Sequence, residues 1–460
     1  MSAEPDISNP LSKAEPVLTM ERGVTLKGGI SANVLNMVGV GPFITIPLAL
    51  AAMGGPQAML GWILGGLIAL CDGLVWAELG SAMPHSGGPY HYLREAFGPL
   101  RLGNLLSFLF VWQTILVGPL TIASGAVGFA QYAKYLFPSL HGFQLPLLAA
   151  LICLLNTVLL LRRISSINWL SIVIAAVVIA TTAGIVISGL LHFHPAMAFD
   201  FPPGAFHLSR QFFAGLGAST LIAVYDYSGY NTICMIGEEV RNPRRTIPRS
   251  IVISIVLVGV LYLTMNISIL GVIPWREGMH SDVIVAVFMD RLYGALGAKV
   301  SSALILVASF GSVFALLLAF SRVPYGAAVD GHFFSVFAKL HARDRYPVVA
   351  VITLGVISAL ACVFSLGDLI NMLIVVQIML QFMAQCIAVI VLRKRAIRGG
   401  DTFRMPLFPL PALIALTGWI YIVVTSGLRY IEIGFALMFI GVFAFLLRSY
   451  RVRQWPFEAA

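Results

Sequence analysis

Along the chain, long apolar runs alternate with short polar connections. A helix needs about 20 apolar residues to cross the hydrocarbon of a bilayer, and that length marks twelve stretches, at about 28–50, 56–80, 102–133, 142–161, 166–191, 211–236, 250–272, 298–327, 347–365, 368–393, 405–427 and 430–449. The pattern predicts an all-α integral membrane protein with twelve transmembrane helices. Composition agrees: 59% of the 460 residues are hydrophobic and 11% charged, with a mean hydropathy of +0.91, where a soluble domain carries about 25% charged residues. The polar segment 1–27 contains Pro5, Pro10 and Pro16 but no secretory signal pattern, so the first span is expected to act as the targeting signal. Cys71, Cys153, Cys234, Cys362 and Cys386 sit singly in apolar runs, which predicts buried thiols rather than a disulfide framework or a metal site.

Net charge is +9, and its distribution turns it into a topology signal. With twelve spans and the N-terminus on the first side, only Lys134, Arg210, Arg276, Arg291, Lys299 and Arg429 fall on the far side, and the other 23 of the 29 Lys and Arg residues fall together. Cytoplasmic loops carry this excess, so both termini, 1–27 and 451–460, are expected in the cytoplasm of a multi-pass protein of the cell membrane. Anionic lipid headgroups account for the basic excess, and nucleic acid is not expected as a partner.

Two spans are interrupted. Gly39, Gly41, Pro42 and Pro47 break the first, and the run Tyr225-Asp-Tyr-Ser-Gly-Tyr-Asn231 places a charge, Ser228, Gly229 and Asn231 inside the sixth. Non-helical backbone at membrane depth is tolerated only where it is buried in protein or lines a cavity. Spans 1 and 6 correspond if the first ten spans form two five-span halves, 28–191 and 192–395. Five is odd, so the halves would have inverted topology, and 396–450 would add two helices. This arrangement points to a transporter with its site at the midplane. A half-helix beginning after Val40 aims free N–H groups and a positive dipole end at an anion. Freed carbonyls in span 6 suit an ammonium, and an amino acid carries both groups on one carbon.

The loops are more specific. After span 2, Ala77-Glu78-Leu79 and Gly87-Gly-Pro-Tyr-His-Tyr-Leu-Arg-Glu-Ala-Phe-Gly-Pro99 resemble the first cytoplasmic loop of amino-acid permeases of the amino acid-polyamine-organocation superfamily. Gly237-Glu-Glu-Val-Arg-Asn-Pro-Arg-Arg-Thr-Ile-Pro248 is similar to that family's loop after span 6, Gly39-Val-Gly41 to its Gly-x-Gly signature, and Ser321-Arg322 through Asp330-Gly331 to the end of its eighth span. The resemblance implies the bacterial leucine-transporter fold and alternating access. By that likeness Gly39, Val40 and Gly41 bind a substrate carboxylate, the main chain from Val224 to Tyr227 accepts from its amine, Tyr225 is an outer gate and Asn231 lies near the site, with Gly229 a flexible point. Two departures stand out. The stretch Leu170-Ser-Ile-Val-Ile-Ala-Ala176 lacks the lysine many relatives place there, and Asp226 stands where small or apolar residues are common.

A carboxylate at bilayer depth marks a functional position. Asp226 has two functional readings, a proton carrier or a counter-charge for a second amine on a polyamine or other cationic substrate, beside a structural one, a helix-end hydrogen bond within span 6. Asp72 reads as a hydrogen-bond partner for a neighbouring helix, and Glu78 as a partner for a loop arginine. Ser309 and Ser312 form a candidate cation site, because hydroxyl oxygens suit hard cations. Glu238, Glu239 and Arg241 form a candidate cytoplasmic ion-pair gate. Trp112 and Gln113 read as packing or pathway residues, and His192, His194 and His207 as solvated. No His-Glu-x-x-His pair, activated nucleophile or dinucleotide fingerprint is present, so neither an enzyme nor a cofactor is expected. Two differently broken helices favour a carrier over a symmetric channel. An amino-acid sensor built on the same fold is the alternative from another class.

Overall fold

The computed structural model describes residues 22–85, 88–98, 102–161, 167–341, 346–394 and 402–457, without the side chains of 167–175. The N-terminal prolines, Gly87 and Pro99 of the first-loop motif, basic residues such as Arg162, Arg163, Arg343, Arg345, Arg395 and Arg398, and the side chains of the stretch starting at Leu170, up to residue 175, lie outside this description.

Among the described residues the chain is all helix, with two isolated bridges and no strand. The first stretch is two helices, α1 (Leu26–Met37) and α2 (Gly41–Met53), bent by 51°. α3 (Met59–Ala82), the surface helix α4 (Pro89–Phe97), α5 (Leu102–Leu136), α6 (Gln144–Leu160) and α7 (Ile167–Leu191) follow. After the turn α8 (Pro195–Ala198), α9 (Arg210–Tyr227) and the short α10 (Thr232–Met235) occupy the sixth stretch. Then come α11 (Pro243–Leu270), the turn α12 (Trp275–Gly278), α13 (Ile284–Val329, kinked at Gly294), α14 (Val348–Ala361), α15 (Leu366–Gln377), a π-helical turn over Ile378–Phe382, α16 (Met383–Lys394), α17 (Leu410–Thr425) and α18 (Leu428–Val452). Among the described residues six helices are long and apolar enough to cross a membrane, seven if the bent pair counts as one span, and four more are shorter apolar helices.

Small residues set the packing, as expected where lipid provides no hydrophobic drive between helices. A Cβ on Gly61 would lie 2.2 Å from Ser219 Oγ and one on Gly65 3.1 Å from the Ala223 methyl, so α3 and α9 touch nearly backbone to backbone. α5 packs along α13 through Gly118 against Phe320 and Gly125 against Val313. All five cysteines are buried and reduced, with the Cys153 and Cys362 sulfurs 3.7 Å apart between α6 and α14.

Glu78 is bound by Arg393, with Nε donating to Oε1 at 2.5 Å and Nη2 to Oε2 at 2.8 Å, while the Met405 N–H donates to Oε2 at 2.8 Å. This carboxylate thereby joins α3, the end of α16 and the segment leading to α17. Asp72, fully buried, accepts from Tyr230 Oη at 2.5 Å, Trp419 Nε1 at 3.2 Å and Cys386 Sγ at 3.5 Å. The expected bond to a neighbouring helix is thus three bonds, one of them to the break after α9.

Candidate functional site

The two breaks face each other. α1 ends at Met37 and α2 starts at Gly41, with Pro42 in its first turn. The Val40 and Gly41 N–H groups carry no hydrogen bond among the described residues. They are the orphan donors that every helix start leaves, and Val40 itself is buried at 2% exposure. Across from them, α9 runs unbroken to Tyr227, and the non-helical stretch is Ser228–Asn231. The sequence places the break from Tyr225 onward; in the structure Val224, Tyr225, Asp226 and Tyr227 form the last helical turn. Part of the expected carbonyl surface is already used there, since Ser228 Oγ donates to the Val224 carbonyl at 2.9 Å and the Ser228 N–H to that of Tyr225 at 3.2 Å. Gly229 makes the turn itself, at φ 115°, a conformation L side chains rarely adopt. A Cβ there would also come within 3.0 Å of the Asn36 carbonyl carbon.

Asp226 lies between the breaks. Its Oδ2 accepts from Thr45 Oγ1 of α2 at 2.8 Å, whereas Oδ1 is buried without a partner. A Cβ on Gly41 would fall 2.8 Å from that bare oxygen and 3.2 Å from Tyr225 Cε1, so the carboxyl rests against the first residue of α2. Buried charged residues among those described are Asp72, Glu78, Asp226 and Arg448. Arg448 is engaged far from this point, by the Gly331 and Phe333 carbonyls. No basic side chain therefore compensates Asp226 among the described residues. Tyr225 Oη pairs with Ser124 Oγ of α5 at 2.8 Å; Ser124 gives its own hydrogen to the Thr121 carbonyl at 2.7 Å, which makes the tyrosine the donor.

The first half of the first broken span and the second half of the other are joined. Asn36 Nδ2 donates to Thr232 Oγ1 at 2.5 Å, and Asn33 Oδ1 accepts from the Ile233 N–H at 3.0 Å. Tyr262 Oη of α11 caps the freed Met37 carbonyl at 2.7 Å. Val24 pairs with Val240 through two main-chain bonds of 2.9 Å, Val24 N–H to Glu239 and Arg241 N–H to Val24.

Other predicted residues fall in varied places. Ser312 Oγ would lie 3.1 Å from a Cβ on Gly39, so it faces the first break, and the buried Ser309 hydroxyl has no partner. Asn231 is buried at the start of α10. The Glu238–Glu239–Arg241 gate is not assembled. Glu238 pairs with His85 at 3.7 Å, Glu239 is used through its carbonyl, and Arg241 is exposed without an ion pair among the described residues. Side chains so close in sequence leave one turn in different directions, and the ion-pair partner arrives from another loop. Trp112 donates to the Leu437 carbonyl of α18 at 3.1 Å and is packing, whereas Gln113 points inward to Gln381 of the π-helical turn at 2.7 Å. His192, His194 and His207 are exposed.

Sequence reasoning missed a cluster between α4 and the end of α13 and an orphan amide. Tyr90 Oη donates to Asp330, and Arg94 meets His332 Nε2 at 2.9 Å, tying α4 to the end of α13. His91, beside them, has its pKa pushed down to about 4, first by burial and then by the neighbouring His85. Asn266 of α11 is buried with neither side-chain oxygen nor nitrogen bonded; an amide in an apolar span was its only signal.

A profile of the amino acid permease family matches residues 30–446, which covers both breaks and every helix from α2 to α17. The chain belongs to the amino acid permease family. This places the permease in the amino acid-polyamine-organocation superfamily, as a multi-pass membrane protein. It is 28% identical over 455 residues to the cystine/glutamate transporter of Homo sapiens, covering 96% of this chain and 88% of the relative. It is 27% identical to Asc-type amino acid transporter 1 of Mus musculus, over 93% of this chain and 82% of the relative. It is 30% identical over 357 residues to b(0,+)-type amino acid transporter 1 of Rattus norvegicus, covering 75% and 70% respectively. The family and these relatives are transporters, not enzymes, and they support amino-acid transport by this permease.

Proposed function

We propose that the protein is a secondary active carrier that moves amino acids across the cytoplasmic membrane by alternating access. Twelve spans, with both termini cytoplasmic, form a five-plus-five inverted repeat of the leucine-transporter type, with α17 and α18 appended. The observation that carries the reading is the pair of facing breaks: unbonded N–H groups at Val40 and Gly41 on one side, the end of α9 on the other. Val40 and Gly41, with neighbouring Gly39, receive the substrate carboxylate, and the main chain closing α9 from Val224 to Tyr227 receives its ammonium through the carbonyls that Ser228 leaves free. Tyr225 covers the substrate, Asn231 borders it, and Gly229 is the flexible point of the second break. Ser312 beside the first break and the unpartnered Ser309 of the same helix are the residues a coupling cation would use.

The test is counterflow and gradient-driven uptake of labelled amino acids in proteoliposomes, with and without an inward proton gradient. Exchange without gradient dependence identifies an exchanger, gradient-driven accumulation a proton-coupled carrier, and binding without flux a sensor. A diamine such as putrescine is the second reading of the substrate, favoured by the uncompensated carboxyl of Asp226, and it belongs in the same screen.

A further inference from the structure

We infer that an amino acid binds this permease only together with a proton, which is shared between the substrate's α-carboxylate and Asp226 at the first turn of α2. The inference rests on the proposed reading that the free N–H groups of Val40 and Gly41 take the substrate carboxylate.

The geometry makes the two carboxyl groups neighbours. Asp226 Oδ1 stands 2.8 Å from where a Gly41 Cβ would be, against the very residue whose N–H is offered to the substrate. Thr45 occupies Oδ2, and Oδ1 is left bare in a side chain that is 2% exposed. Two carboxylates crowded into one buried site cannot both stay ionised; one proton between them turns repulsion into a hydrogen bond. A basic side chain could replace that proton, but among the described residues none is at hand. α2 offers Thr45, α3 the Trp62 indole, α11 the Tyr262 phenol, and α9 itself Tyr225 and Tyr227. These tyrosines are the titratable neighbours, and three of their hydroxyls are bonded elsewhere, to Ser124, the Trp62 carbonyl and the Met37 carbonyl. The stretch 167–175 of α7, whose side chains are undescribed, contains no Lys, Arg or His.

The proton balance is simple. Asp226 takes a proton from the side to which the site is open, and the acid O–H on Oδ1 donates to the substrate carboxylate. Substrate and proton then leave together on the other side. An amine without the carboxylate makes no such demand and pairs with the ionised group.

The test measures binding and half-saturation of counterflow between pH 5.5 and 8.5 for two substrate pairs, arginine with agmatine and leucine with isopentylamine, preceded by a screen of the twenty common amino acids so that the best substrate is included. For wild type the amino acid is expected to bind about tenfold more weakly per pH unit once Asp226 is ionised, the slope for one linked proton. Asp226→Asn, with a permanent N–H donor, is expected to bind it with no pH slope and to lose gradient-driven accumulation. Equal amino-acid affinity across the range in wild type would overturn the inference while leaving the carrier reading intact. So would an unchanged slope in Asp226→Asn. Binding of the amines with no amino-acid binding at any pH would overturn both. The wild-type profile alone suffices if the variant does not fold.

Discussion

Glu78 is the most exposed to a quantitative test of packing. Its carboxylate takes three donors, two from the Arg393 guanidinium and one from the Met405 main chain. Arg393 Nη2 also reaches the Met405 carbonyl at 3.2 Å, and the guanidinium lies 4.1 Å over the Phe408 ring. Glu78→Gln keeps the shape but removes the charge and places an amide NH2 against donors. Breaking a buried pair by removing one partner costs about 3–5 kcal/mol. The Arg393 side chain is 26% exposed, and water screens part of the stranded charge, which brings the expected loss to about 2–3 kcal/mol. Arg393→Lys keeps the charge without the two-pronged geometry and should lose about 1–2 kcal/mol. The assay is SDS-induced unfolding in mixed micelles followed by circular dichroism, run as a double-mutant cycle of Glu78→Gln and Arg393→Met. The double variant should be less destabilised than the sum of the singles by about 1–3 kcal/mol. Strict additivity, or a Glu78→Gln variant within about 0.5 kcal/mol of wild type, the range of an ordinary surface change, would refute the view that this pair fastens α3 to α16.

Three further outcomes follow from single sites. Gly229→Ala forces a Cβ onto φ 115° and against Asn36, a strain of about 1–3 kcal/mol, and should slow counterflow far more than it weakens binding. Gly41→Val should abolish amino-acid counterflow, because a Cβ alone already meets Asp226 at 2.8 Å; normal flux would show that the α2 start is not the carboxylate site. The pKa of His91 is near 4 when folded, against an ordinary value of 6.5, so below pH 6.5 the unfolded state binds more protons and stability falls until about pH 4. Thermal-stability scans from pH 7.5 to 4.5 should show this decline, and His91→Phe should flatten it.

The sequence shows the apolar stretches and the first break because each is written locally, as 20-residue hydropathy or as Gly39, Gly41 and Pro42 in one turn. The second break reads three residues early. Asp226 looks like an interruption to anyone counting polar residues, yet it is helical because Thr45, from another span, supplies its hydrogen bond. Partners so distant leave no local trace. The same holds for Asp72, whose donors come from residues 158, 314 and 347 positions away, and for Glu238, whose neighbour is His85 rather than the adjacent arginine. The π-helical turn over Ile378–Phe382 likewise has no signature of its own; its five residues are as apolar as the helices around them.

The clasp between α1 and α10 bears on how force is transmitted. Asn33, Asn36 and the Val24–Val240 pairing attach α1 and the residues before it to α10 and the segment after it at several points, while the Tyr262 cap holds the end of α1 to α11. If the protein works by the proposed alternating access, two arms so riveted would move as a single lever with a common fulcrum at Val38–Val40 and Ser228–Asn231. In the proposed carrier cycle a displacement of either arm would then be felt at both breaks, and releasing the rivets one by one should make the swing looser rather than smaller.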